Sequence, residues 1–82
     1  MANAEIDSVI NVLTELEEDT TVPKNVRHKI EAIIKILQDN SETQIKVSKV
    51  MNELEEAAED VNLQSYTRTQ FWDVISSLEK LI

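Results

Sequence analysis

The chain has 82 residues without cysteine or glycine, which excludes disulfides, thiolate metal sites, cysteine nucleophiles and glycine-rich phosphate loops. Its 16 acidic and 8 basic residues give a net charge of −8, so its field repels nucleic acid and anionic membranes. Hydrophobic residues make up 41% of the chain and recur periodically, so we expect a folded domain and not a disordered acidic tail.

The start of the chain has neither a basic segment nor a long apolar run. We therefore expect a cytoplasmic protein that is neither secreted nor membrane-spanning.

The first apolar stripe predicts a helix from about Asn3 to Asp19, with one face formed by Ile6, Val9, Ile10, Leu13 and Leu16. Its last turn is acidic, which is the wrong sign for the negative end of a helix dipole, so we expect a nearby base.

A second helix is predicted to start near Pro23, because proline suits the first helical turn. Its stripe is Val26, Ile30, Ile33, Ile34 and Leu37. After it, Asn40 is expected in a left-handed conformation, since no glycine is available for that role. Ser41 and Gln44 have the spacing of a capping box, and Glu42 with Lys46 has the spacing of a favourable pair.

Two further stripes follow at helical spacing. The third helix is predicted to bury Val47, Val50, Met51, Leu54, Ala57, Ala58 and Val61, and the fourth, after Asn62, to bury Phe71, Val74, Ile75, Leu78 and Ile82. We therefore predict an all-α fold in which two antiparallel helical hairpins pack as a single four-helix domain over residues 1–82.

The two hairpins have related sequences at an offset of 41 residues, which gives repeat units of about 1–41 and 42–82. Between positions 9–38 and 50–79, nine of thirty pairs are identical. The alternative is that any two amphipathic hairpins share apolar spacing. Asp19 precedes Arg27 by eight residues, as Asp60 precedes Arg68, so we predict an equivalent structural ion pair at each hairpin turn.

These residues also carry a resemblance. Pro23, Val26 and Arg27 after an acidic turn, in a unit of this length, resemble a HEAT-type helical repeat, although Gln64 and Thr67 replace the proline and valine in the second unit. The whole segment 18–27, with Thr67-Arg68-Thr69, Trp72 and Ser77-Leu78-Glu79, resembles a family of short, uncharacterised archaeal proteins. That resemblance implies an acidic all-helical protein and no known activity.

Catalytic chemistry has little support in the sequence. His28 is the only histidine and belongs to no metal-binding motif. The acidic clusters, at positions 15–19 and 55–60, lack the spacing and the glycine of a calcium loop, so we interpret them as solvated faces. The serines have no recognisable base partner. We predict no catalytic, cofactor-binding or metal-binding residues, no cofactor, and no enzymatic activity.

Four apolar side chains lie off the core stripes, namely Trp72, Ile36, Val12 and Ile45. Of these, Trp72, Ile36 and Ile45 are the candidate interface residues. Trp72 could instead cover the edge of a small core. The favoured function is a cytoplasmic protein-interaction or assembly module, with either a protein partner or, preferably, a second copy in a dimer. The alternative is a small metal-dependent or acid–base enzyme that uses the carboxylate clusters.

Overall fold

The computed structural model describes residues 4–82, which form four helices joined by short turns. They are α1 (Ala4–Glu18), α2 (Lys24–Gln38), α3 (Thr43–Ala58) and α4 (Ser65–Glu79). The predicted all-α class and the four helices are confirmed. The predicted first residue of the first helix, Asn3, lies outside the described residues.

The four helices close into a ring. Each helix packs against its two neighbours, α1 with α2, α2 with α3, α3 with α4, and α4 with α1. Within the described range, no Cα atom of α1 comes within 8 Å of α3, and none of α2 comes as close to α4. The two hairpins therefore bury their apolar faces against each other as a four-helix bundle. This geometry gives no support to HEAT-like stacking, in which equivalent helices of successive units lie side by side.

The core follows the repeat closely. A shift of 41 residues carries the bounds of α2 onto those of α4. The same shift carries every buried apolar residue described in the first hairpin onto a buried residue of the second. The equivalent pairs are Ile6/Val47, Val9/Val50, Leu13/Leu54, Leu16/Ala57, Val22/Leu63, Val26/Thr67, Ile30/Phe71, Ile33/Val74 and Leu37/Leu78. Val22 and Leu63 come from the turns, where helical periodicity does not predict burial. Each closes the end of its hairpin over the core.

The turn between α2 and α3 differs from the prediction. No residue among those described has a positive φ, and the chain leaves α2 through an extended Asp39, so Asn40 is not left-handed. The capping box does not form. The N-cap residue of α3 is Glu42, which makes no side-chain cap, so Ser41 lies one position too early to cap the helix. Ser41 Oγ instead donates to Asp39 Oδ2 at 2.7 Å.

Two predicted core residues are exposed. Val61 is 90% exposed because α3 ends at Ala58, which leaves Val61 in the following turn and off the helical stripe. Ile82 is 53% exposed because it lies beyond the end of α4. Three other stripe residues, Ile10, Ile34 and Met51, pack against the core while only partly buried. The helix ends, more than the helix faces, account for these differences.

Candidate functional site

All three interhelix turns use the same combination of an aspartate and a cation. The aspartates are Asp19, Asp39 and Asp60, and each accepts hydrogen bonds from residues one or two positions further along its own turn. The cations are Arg27, Lys46 and Arg68, each the fourth residue of the following helix, and each donates to backbone carbonyls of the preceding turn. These side chains fasten the turns by hydrogen bonds to the backbone.

The predicted direct ion pairs do not form in either hairpin turn. No Arg27 nitrogen lies within 4 Å of an Asp19 carboxylate oxygen, and the same holds for Arg68 and Asp60. Asp19 Oδ1 instead accepts the backbone N–H and hydroxyl of Thr21, at 2.8 and 2.7 Å. Arg27 Nε donates to the Val22 carbonyl oxygen at 3.1 Å. The acid and the base stabilise the same turn separately.

The second turn is held by more hydrogen bonds. Arg68 Nε donates to the Ala58 carbonyl oxygen at 2.8 Å, and its terminal nitrogen donates to the carbonyl oxygens of Asp60 and Leu63 at 3.0 and 3.3 Å. Asp60 Oδ2 accepts from the Asn25 side chain of the first hairpin at 3.0 Å. Asp60 therefore links the two hairpins, whereas Asp19 acts only within its own turn.

The turn hydrogen bonds set the acidity of these aspartates. The Thr21 hydroxyl, then the Thr21 backbone N–H, lowers the pKa of Asp19, and Arg27 adds a smaller attraction. The Asn62 N–H and the Asn25 amide lower the pKa of Asp60. The Ser41 hydroxyl lowers the pKa of Asp39. These carboxylates are held in their charged form, whereas a general acid requires a raised pKa.

The structure separates the three candidate interface residues. Trp72 is 47% exposed near the middle of α4, and Ile45 is 61% exposed near the start of α3. Ile36 is partly buried and packs against the core. By helical geometry Ile45 lies on the side of α3 opposite its buried stripe, so it does not extend a patch around Trp72. Of the two exposed residues, Trp72 has the larger side chain, and it lies beside the buried stripe of α4, next to Phe71.

A cleft of about 210 Å³ lies between α1 and α4, and we call it the α1–α4 cleft. Its apolar lining consists of Val9, Val12 and Val74, and its polar lining includes Ser8, Gln70 and Asp73. Gln70 Oε1 is buried and has no hydrogen-bond partner in residues 4–82. This oxygen is therefore a buried acceptor that the fold leaves unpaired, which costs stability.

Sequence reasoning did not identify the α1–α4 cleft, but the repeat contained a signal for it. Ser77, which also lines the cleft, occupies the position that Ile36 has in the first unit. Gln70 likewise occupies the position of Lys29. A branched aliphatic side chain and a cation are thus replaced by smaller or uncharged groups on the helix face that lines the cleft.

Residues 4–82 contain neither a cluster of potential metal ligands nor a membrane-spanning helix. No group of three or more histidine, cysteine or acidic side chains in this range is placed to hold a metal ion. His28 lines a surface depression with Glu17, Lys24 and Glu31. None of the described helices is both long enough and apolar enough to cross a membrane.

Comparison with known proteins agrees with the resemblance inferred from the turn segment. A UPF0147 protein of Thermoplasma volcanium is 40% identical over 76 residues, covering 92% of this chain and 85% of the relative. One of Thermococcus kodakarensis is 36% identical over 78 residues, covering 93% and 94%. The crystal structure of a protein of unknown function, MMP1188, matches with a TM-score of 0.87 and 32% identity, covering 92% of this chain and 86% of that one. Residues 1–81 match the family model, and the chain therefore belongs to the uncharacterised protein family UPF0147.

Proposed function

We propose that the protein is a non-catalytic interaction module that binds another protein chain through the surface of α4. The observation that carries this proposal is Trp72, which is 47% exposed. The equivalent position in α2 is Glu31, which pairs with Lys35 at 3.5 Å on the surface. The second unit thus has an exposed indole where the first has a solvated ion pair. Tryptophan is among the residues most enriched at the centres of protein interfaces.

A homodimer is the first form of this proposal to test. Two-fold dimers are the commonest closed assemblies and use the same patch on both subunits. The closed helix ring removes one reason for expecting a dimer, because the two hairpins already bury each other's apolar faces. The case for self-association therefore depends on Trp72, with Ile45 on a separate face and Ile36 against the core.

Sedimentation velocity over a concentration series tests self-association directly. We expect Trp72→Glu to raise the dimer dissociation constant at least about tenfold, because it places a charge at the proposed centre of the interface. Tyr66→Glu is the matched control, since Tyr66 is 71% exposed on the same helix and the charge change is identical. A native protein that stays monomeric throughout excludes the dimer, and equal effects of both variants exclude Trp72 as its centre.

The enzyme alternative has no comparable support. Hydrogen bonds within or between turns lower the pKa values of Asp19, Asp39 and Asp60, whereas an acid catalyst requires a raised value. A calcium titration followed by heat unfolding provides a direct check. A rise in the unfolding temperature at micromolar calcium would favour a metal-dependent activity over the non-catalytic role.

A further inference from the structure

We infer that α4 pairs with α4 of a second copy of this chain, antiparallel and across a two-fold axis at Trp72. This inference rests on the proposed function, because it specifies the partner and its orientation at the same helix. The contact consists of five exposed residues, which we call the α4 face: Ser65, Thr69, Trp72, Ser76 and Glu79. Their spacing alternates between four and three residues, so they lie along one side of the helix.

The α4 helix has the fewest charges in a chain whose net charge is −8. Histidine aside, α1, α2 and α3 each carry five charged residues, whereas α4 carries three. One of those three is Arg68, whose guanidinium donates to backbone carbonyl oxygens of its own turn. Two acidic copies repel each other least where their surfaces carry the fewest charges, so α4 is the helix along which they can approach.

The equivalent side of α2 has a different composition. A shift of 41 residues carries the α4 face onto Lys24, His28, Glu31, Lys35 and Gln38. Glu31 and Lys35 form a surface ion pair at 3.5 Å, and on α4 their places are taken by Trp72 and Ser76. Interface centres are depleted of charged residues and enriched in tryptophan. This comparison favours α4 over α2 as the helix that contacts a partner.

The two ends of α4 complement each other in charge. At its start, the N-cap residue Gln64 makes no side-chain cap and the first turn contains no acidic residue, although this end of the helix dipole is positive. At its end, Glu79 places a carboxylate near the negative end of the dipole. Ser65 and Glu79 each lie seven residues from Trp72. An antiparallel pair centred on Trp72 therefore brings each Glu79 to the uncapped start of the other copy's α4.

A parallel pair lacks this complementarity. It would place each Glu79 opposite Glu79 of the other copy, which is a like-charge contact, and it would leave both helix starts without an acidic neighbour. In the antiparallel pair the two helix dipoles also run in opposite directions, which is the attractive arrangement. The charges at the helix ends thus select the antiparallel orientation.

The size of the α4 face sets the strength of the contact. Thr69 and Ser76 lie about one helical turn before and after Trp72, and their small side chains leave room for the indole of the other copy. The accessible surface of the chain is 5179 Å². A contact that covers about a tenth of it on each copy buries on the order of 1,000 Å² in total, which is at the low end for specific interfaces. We therefore expect a dissociation constant in the micromolar range.

Engineered cysteines test the orientation, since the chain contains no cysteine of its own. Thr69→Cys and Ser76→Cys are oxidised separately and as an equal mixture, and intact mass identifies which variants are joined. In the antiparallel pair, positions 69 and 76 of different copies lie within about 1.5 Å along the helix axis, whereas identical positions are about 9–12 Å apart. We expect a disulfide between the two variants in the mixture, and at least about fivefold less crosslinking in either variant alone.

Glu79→Gln tests the contact between the helix ends. In sedimentation velocity it should raise the dimer dissociation constant at least about threefold, because the symmetric dimer loses the contact twice. Glu18→Gln is the matched control, since Glu18 is the exposed last residue of α1 and the charge change is identical. That control removes a repelling charge from each acidic copy, so its dissociation constant should be unchanged or lower. An equal rise for both variants would overturn the proposed contact of Glu79.

The outcomes distinguish this inference from the proposed function. Disulfides within each single variant would show a parallel pair and overturn the orientation. If a dimer depends on Trp72 but the mixture forms no disulfide, the antiparallel pairing fails and the interaction module stands. If a dimer is insensitive to Trp72→Glu, both the pairing and the proposed role of Trp72 fail. A chain that is monomeric at every concentration overturns the pairing, and the interaction module then requires a different protein as its partner.

Discussion

The contact between α2 and α3, which we call the α2–α3 seam, corresponds in the repeat to the contact between α1 and α4, the α1–α4 seam. Ion pairs bridge the α2–α3 seam, whereas the α1–α4 seam contains the cleft. Lys29 crosses the first seam to Glu53 and Glu56. In the second seam the positions of Lys29 and Glu53 hold Gln70 and Val12, which cannot form an ion pair. The buried cores of the two repeat units are therefore alike, whereas the residues at the edges of the two seams differ.

The two seams also differ in an aliphatic side chain at their edges, and the smaller residue is again in the α1–α4 seam. Ile36 is seven residues beyond Lys29, so it lies on the same side of α2, and it packs against the core. Its counterpart Ser77 lines the α1–α4 cleft. Replacing four side-chain carbons with a single hydroxymethyl group leaves part of this seam unfilled. An opening of this kind arises from two or three substitutions, without any change in backbone topology.

The largest expected effect comes from exchanging these two residues. Ile36→Ser should lower the free energy of unfolding by about 2 kcal/mol, because it removes partly buried methyl and methylene groups that pack against the core. Ser77→Ile should raise it by about 1 kcal/mol by placing apolar area in the cleft. Urea unfolding at pH 7 measures both.

The gain in stability from Ser77→Ile should depend on its position in the cleft. There the added methyl and methylene groups lie near the apolar lining of Val9, Val12 and Val74. Ser76→Ile is the control, since Ser76 is exposed and does not line the cleft. Equal stability changes for Ser77→Ile and Ser76→Ile would show that the two seams do not differ in packing as described.

The fold was largely predictable because it depends on helical periodicity. The stripes of Val26, Ile30 and Leu37, and of Phe71 and Leu78, identify the faces that become buried. Periodicity says nothing about the turns, so the burial of Val22 and Leu63 and the exposure of Val61 were missed. Whether a residue follows its stripe there depends on where the hydrogen-bonded helix stops.

The candidate site was less predictable for a related reason. The pairing of Asp19 with Arg27 was inferred from sequence spacing, which does not show that nearby backbone groups compete for both side chains. The Asp39 and Lys46 combination was missed because its spacing is seven residues where the others have eight. The cleft itself is an absence of side-chain volume, which becomes visible only when the two seams are compared in three dimensions.

A second difference between the units concerns the arginines of the hairpin turns. Arg68 donates to three carbonyl oxygens and Arg27 to one. We expect Arg68→Met to cost about 1–2 kcal/mol and Arg27→Met under about 1 kcal/mol, because methionine keeps the apolar stem and loses the charged donors. Urea midpoints of the two variants test this order. Equal costs would mean that the additional hydrogen bonds of Arg68 do not add to stability.

The smallest expected effect concerns the aspartates, and it appears as a dependence on pH. The folded-state pKa values of Asp19 and Asp60 lie below the ordinary value of 3.8. A lowered folded pKa contributes stability that is present above the unfolded-state pKa and is lost as the pH falls through the folded pKa. The native protein should therefore lose stability below about pH 4, while Asp19→Asn and Asp60→Asn should each lose less over that interval.

Urea midpoints between pH 7 and pH 2.5 measure this difference, and parallel curves for native and variant proteins would contradict it. Double-mutant cycles then identify the partner of Asp19. Because the hydrogen bonds from Thr21 lower its pKa more than Arg27 does, the coupling of Asp19 with Thr21 should exceed its coupling with Arg27. The reverse order would mean that the attraction between Asp19 and Arg27 stabilises the first turn more than the Thr21 hydrogen bonds do. The two hairpin turns would then differ, as far as their aspartates are concerned, only in the hydrogen bond from Asn25 to Asp60.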